Sequence, residues 1–114
     1  MTSPIIANLE KLLGGPRDGA LLRFSLGNEW MKSGDPAKAA TCYRDAVRFA
    51  PEYSAAWKQL GKALNDSGDL DAALDAYRRG IEVATARGDL QAAKEMAVFA
   101  KRIARQLGDV SEAT

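Results

Sequence analysis

The sequence predicts an all-α chain of antiparallel helix-turn-helix repeats, an α-solenoid of about six helices. Three observations predict it. Apolar residues recur at spacings of three and four, in a composition dominated by Ala, Leu, Lys, Arg, Glu and Asp. Alternation of the strand type is nearly absent. Turn residues fall at Gly14-Gly15-Pro16, Ser33-Gly34-Asp35-Pro36, Ala50-Pro51, Ser67-Gly68-Asp69 and Arg87-Gly88-Asp89, leaving connections too short to separate two domains. Finally, one dipeptide returns. "GDPAKAATCY" begins at Gly34, "GDLDAALDAY" at Gly68 and "GDLQAAKEMA" at Gly88, so an interval of 34 residues is kept once and then shortened to 20.

Each element follows from this punctuation. Helices are expected over 4–13, 18–33, 36–49, 52–66, 70–86 and 89–107. The first has Ser3 as N-cap and Pro4 behind it, with Ile5, Ile6, Leu9, Leu12 and Leu13 along one stripe. That stripe either docks on the next helix and covers the end of the core, or forms an arm that occupies a groove. In the later segments each glycine ends a helix and each aspartate caps the one that follows. Pro36 sits in a first turn, where proline is tolerated. Short connections make neighbouring helices antiparallel.

The composition excludes several functions. The 114 residues suit a single domain able to bury roughly 60–70% of its unfolded surface. Lys and Arg number 16 against 15 Asp and Glu, a net charge of +1, so neither nucleic acid nor an anionic membrane is an expected partner. Histidine is absent and Cys42 is the only cysteine, which removes the commonest general base and any disulfide staple. Cys42 reads as a packed thiol. The opening "MTSPIIANLEKLL" lacks a basic n-region and a small-residue cleavage site, so it is not expected to act as a signal peptide. No apolar run reaches the length of about 18 residues that a spanning helix needs, and a cytoplasmic location is expected. Asp69, Asp71 and Asp75 cluster at a helix start, where they cap and complement the helix dipole. With no metal-ligand spacing, phosphate loop or nucleophile–base pair, the chain is expected to be no enzyme and to take no metal or cofactor.

Laid over each other at 34 residues, the two halves agree. Arg23, Leu26, Gly27, Trp30, Ala39, Tyr43, Ala46 and Pro51 align with Trp57, Leu60, Gly61, Leu64, Ala73, Tyr77, Gly80 and Thr85. A glycine inside a helix costs about 1 kcal/mol against alanine. Its repetition at Gly27 and Gly61 predicts a neighbouring helix backbone in close approach, and Tyr43 and Tyr77 are expected to fill the gap between helix pairs.

These residues resemble the tetratricopeptide repeat family, whose pattern is W-x2-L-G-x2-Y followed by A, F, A and P over 34 residues. "LRFSLGNEW…AATCYRDAVRFAP" matches seven of the eight positions, taking Trp30 for Tyr and Tyr43 for Phe. "WKQLGKAL…AALDAYRRGIEVAT" matches five, and Leu64, Gly80 and Thr85 depart. The resemblance covers residues 20–87. It implies a domain with an N-terminal helix (4–13), repeat one (20–53), repeat two (54–87), a capping helix (88–107) and a flexible tail (108–114). The third Gly-Asp comes early because a single terminal helix closes the array there. Gln91, Lys94 and Glu95 stand where the signature is due, and an open stack needs a cap.

The family lines a concave surface with the first helix of each repeat and takes peptides there. By register, that surface includes Phe24, Asn28 and Met31 from repeat one, and Lys58, Lys62 and Asn65 from repeat two. The two lysines, one turn apart, are either a solvated face or a basic patch for a carboxylate. Family members that hold a C-terminal carboxylate use a clamp of lysines, asparagines and an arginine. Of the five clamp positions only Asn28 fits, while Phe24, Gln59, Asp89 and Ala93 do not, so that clamp is not expected. The expected function is a non-catalytic interaction module, an adaptor, scaffold or assembly factor that binds a peptide or protein segment, weakly because the groove is small. The alternative is a homodimer through the last helix. Its apolar arc spans about 180°, wider than one-sided docking needs. Either the helix sits deep, with Leu90, Ala93, Ala97, Ala100 and Ala104 as a close-packing stripe, or Met96, Phe99 and Ile103 stay partly exposed as an interface.

Overall fold

The three Gly-Asp dipeptides are three copies of one joint. Gly34, Gly68 and Gly88 have φ of 80°, 88° and 76°, the left-handed region open to glycine without strain. Each aspartate then works twice. Its N–H closes the helix behind it, donating to Trp30, Leu64 or Ala84 carbonyls at 2.9, 2.9 and 2.8 Å. Its carboxylate accepts from the third residue of the helix ahead, Lys38, Ala72 or Ala92, at 3.1, 3.3 and 3.3 Å. A turn built this way needs only two or three residues, so successive helices fold back on each other.

The computed structural model describes residues 3–112, with side chains through Gly108. It contains α1 (Pro4–Glu10), α2 (Ala20–Lys32), α3 (Pro36–Phe49), α4 (Ser54–Asp66), α5 (Leu70–Ala86) and α6 (Leu90–Glu112), with no strand among the described residues. α3 and α5 have the expected bounds. α1 stops at Glu10 because the next N–H groups, on Leu12 and Leu13, turn back only three residues, to Leu9 and Glu10. α4 starts two residues late, because Pro51 and Glu52 form the turn that Tyr53 ends. α6 runs on to Glu112, so helix occupies most of the segment expected as a tail; residues 113–114 lie outside the described residues.

The helices form two layers in a slab 51 × 34 × 19 Å, the thinnest dimension being that of two packed helices. α2, α4 and α6 make one layer and α3 and α5 the other. α1 docks on α2 through Ile6, which is fully buried, while Ile5 stays exposed. α6 sits deep. Ala93, Met96, Ala100 and Ile103 are buried against α5 and α4. This corrects two of the three residues expected at an interface: Met96 and Ile103 belong to the core of their own chain, and only Phe99 of that trio reaches the surface. The expected stripe of small residues is likewise only partly inward, since Leu90 and Ala97 are exposed.

The helix rolls toward Met96 because Gly80 makes room for it. A Cβ at Gly80 would stand 2.5 Å from Met96 Sδ and 2.8 Å from Trp57 Cβ. Gly27 and Gly61 are also explained, though not by a backbone. A Cβ at Gly27 would meet the Tyr43 ring at 2.5 Å, and one at Gly61 the Tyr77 ring at 2.7 Å. Each tyrosine ring therefore packs against the glycine of its own repeat.

In repeat one the position of Trp57 is held by Arg23. Its guanidinium grips Asp18 through Nε and Nη2 at 2.9 and 2.8 Å and reaches Asp45 of α3 at 3.0 Å. Asp18 also accepts from the Gly14 N–H at 2.9 Å. One side chain thus pins the α1–α2 connection to both helices of the first repeat.

Candidate functional site

The tyrosines carry the two layers into one surface. Tyr43 and Tyr77 start on the outer helices α3 and α5, pass over Gly27 and Gly61, and form the floors of two cavities on the inner layer. Five lining residues of the first cavity lie 34 positions before five of the second. The pairs are Ser25 and Gln59, Asn28 and Lys62, Met31 and Asn65, Lys32 and Asp66, and Tyr43 and Tyr77. The concave face is therefore one pocket built twice.

The third wall differs. In the first pocket it comes from Gln59 and Lys62 of α4, leaving about 400 Å³. In the second it comes from Phe99 of α6, whose ring stacks on Tyr77 at 5.6 Å between centroids, and the space shrinks to about 170 Å³. The floors differ as well. Tyr43 donates its hydroxyl to Asn28 Oδ1 at 2.6 Å. Lys62 replaces that asparagine in repeat two, and the Tyr77 hydroxyl has no such partner among the described residues. Burial pushes the Tyr77 hydroxyl up to about 12, so it stays a donor at neutral pH.

Of the six residues expected in the groove, Asn28 and Met31 line the first pocket, Lys58 and Asn65 the second, and Lys62 both. Phe24 lines neither. Its ring packs on Tyr43 at 5.6 Å and Tyr53 at 4.9 Å, as support beneath the site. The lysines do not form an open basic patch: Lys58 Nζ lies 2.9 Å from Glu95 and Lys62 Nζ 3.3 Å from Asp66. The Lys62 pair is exposed and the Lys58 pair half-buried; contacts this close to solvent contribute about 0–1 kcal/mol, so a ligand carboxylate can compete for these cations. Sequence reasoning missed Ser25, Glu29, Lys32 and Tyr43 in the first pocket, Asp66 and Tyr77 in the second, and Gln59 in both. The 34-residue offset already marked Tyr77, and adding that offset to Asn28 and Ser25 reaches Lys62 and Gln59.

Burial, with the charge of Asp45 adding to it, pushes the Cys42 thiol up to about 11, leaving it unreactive at neutral pH. Among the described residues no group of three or more His, Cys, Asp or Glu is placed to hold a metal ion. No helix among them is long and apolar enough to cross a membrane.

Repeated helix pairs, a paired-tyrosine concave face and a terminal closing helix define an all-α repeat array of the interaction-module type. The tetratricopeptide repeat profile matches residues 24–89, which is more than half of the chain. The chain belongs to the tetratricopeptide repeat family, whose members are protein-interaction modules generally without catalysis of their own. It is similar to a TPR repeat-containing protein of Pseudomonas aeruginosa, 45% identical over 101 residues, a match spanning 89% of this chain and 96% of the relative. A Bordetella parapertussis protein solved in solution superposes with a TM-score of 0.76 at 40% identity, covering 93% of this chain and 92% of that one. The Sgt2 TPR domain from Aspergillus fumigatus superposes at 0.75 with 28% identity, over 91% of this chain and 68% of that one.

Proposed function

We propose that the chain is a non-catalytic adaptor whose concave face binds an extended protein segment, with one ligand side chain in each of the two pockets. The observation that carries this reading is the duplication itself: two cavities lined by residues one repeat apart in sequence lie along the same face. The larger pocket offers the mixed polar groups Asn28, Lys32 and Lys62 around the Met31 side chain. The smaller one, between Tyr77 and Phe99, suits an aliphatic side chain with a carboxylate or backbone carbonyl near Lys58 and the Tyr77 hydroxyl. With only two pockets to fill, affinity is expected in the micromolar range, about −8 kcal/mol.

The test is selection of peptides from a random display library on the immobilised chain, followed by titration of the winners. Binding is expected to weaken by about tenfold or more in Phe99→Ala and in Asn28→Ala/Lys62→Glu, because central contacts dominate small interfaces. Selected peptides that bind these variants as tightly as the wild type refute the reading.

A further inference from the structure

A cavity as large as the first concave pocket lies away from the concave face. It lies on the opposite side, between the outer helices α3 and α5, with a volume of about 440 Å³. Its floor is aliphatic, formed by Val47, Leu60 and Leu64, which are themselves nearly fully buried. Trp57 completes it. The indole N–H is already donated to the Pro51 carbonyl at 2.8 Å, so only the apolar ring remains for the groove.

The rim is basic. Arg44 and Arg48 on α3 and Arg79 on α5 surround this floor, facing the single carboxylate of Asp75. Asp75 is taken by Arg79 at 3.1 Å. Arg48 reaches Asp45 at only 3.5 Å, and Asp45 is shared with Arg23. Arg44 has no ion pair among the described residues. Two arginines one turn apart on an exposed helix repel each other, and no local acid compensates the first of them. The arrangement is thus a hydrophobic trough with excess positive charge along the α3 edge. Cations at helical spacing match carboxylates at helical spacing, since residues one turn apart on a partner helix have Cβ atoms about 5–6 Å apart.

We propose that this outer groove docks an acidic amphipathic helix of a partner protein, aliphatic residues on the Trp57 floor and carboxylates against Arg44 and Arg48. The site is separate from the concave pockets, so the chain bridges two partners at once.

Trp57 reports occupancy directly once Trp30 is removed by Trp30→Phe. The probe is a helical peptide with leucines three and four residues apart flanked by glutamates; its control carries lysine at every glutamate. A saturable change in Trp57 fluorescence is expected with the acidic probe and none with the control. In Arg44→Glu/Arg48→Glu, both exposed positions, affinity should fall by about tenfold or more while the circular dichroism spectrum stays unchanged. No saturable change, equal binding of both probes, or binding that survives the double charge reversal overturns the proposal. So does binding that is lost in Lys58→Glu/Lys62→Glu instead. Light scattering closes the remaining case: a dimer that the arginine reversal converts to a monomer assigns the groove to a second copy of this chain.

Discussion

The substitution Gly27→Ala tests the packing logic beneath the concave face. In a free helix alanine is better than glycine by about 1 kcal/mol. Here the new Cβ would lie 2.5, 2.7 and 2.8 Å from three carbons of the Tyr43 ring. Carbon atoms are comfortable at about 3.5–4.0 Å, so the overlap is close to 1 Å against three atoms at once. The ring has little freedom to yield. Tyr43 is 1% exposed, its hydroxyl is held by Asn28, and Phe24 flanks it. Overpacking of this kind costs about 1–3 kcal/mol, and a held ring belongs at the upper end. Subtracting the propensity gain leaves a net destabilisation of about 1–2 kcal/mol. Urea unfolding followed by far-ultraviolet circular dichroism measures it. The same change in a Tyr43→Leu background, which lacks the ring carbons involved, should be neutral or stabilising by up to about 1 kcal/mol. If Gly27→Ala stabilises the parent, or harms both backgrounds equally, the ring is not what demands glycine.

Three other outcomes are expected. Gly68→Ala meets nothing within 4 Å, yet φ of 88° makes it strained, so it should destabilise by about 1–2 kcal/mol in the same urea assay. The Arg23 guanidinium, with help from the Gly14 N–H, holds the Asp18 carboxyl well below its usual range. A depressed folded value means that the unfolded chain takes up the proton first. The Asp18 contribution is therefore full above about pH 5 and is lost as the pH falls through 4 toward 2. Asp18→Asn should flatten the dependence of stability on pH across that window, as read from melting temperatures. Cys42, with its thiol near 11, should react with an aromatic disulfide reagent at pH 8 about a hundredfold more slowly in the folded chain than in urea.

The layout of the fold was legible because it rests on local chemistry. A left-handed glycine followed by a capping aspartate is a short-range signal, and it placed the starts of α3 and α5 to the residue. The pairing of Gly27 with Gly61 and Tyr43 with Tyr77 was visible as an offset. What filled the space in front of each glycine was not, because a helix surface shows only that something is close. The ion pairs were hidden for a related reason. Lys58 meets Glu95 across 37 positions, joining α4 to α6, and no periodicity within either helix announces that contact. Phe24 shows the limit of carrying a groove by register: its helix position is inner, but two aromatic neighbours draw the ring underneath.

The last helix shows why a wide apolar arc need not mean an interface. In an open array the final inner helix has two tasks that earlier helices share with their successors. It must close the core, which Ala93, Met96, Ala100 and Ile103 do against α5 and α4. It must also supply the far wall of the last pocket, which Phe99 and Glu95 do by reaching Tyr77 and Lys58. These tasks lie on adjacent faces, and together they use the Met96, Phe99 and Ile103 part of the wide apolar arc, while Leu90, Ala97 and Leu107 of that arc stay exposed. Phe99, 36% exposed, opens onto the groove as a wall of the second pocket. The same reasoning explains why the second pocket is the smaller: its third wall is a phenyl ring stacked on the floor, where the first pocket has two flexible polar side chains.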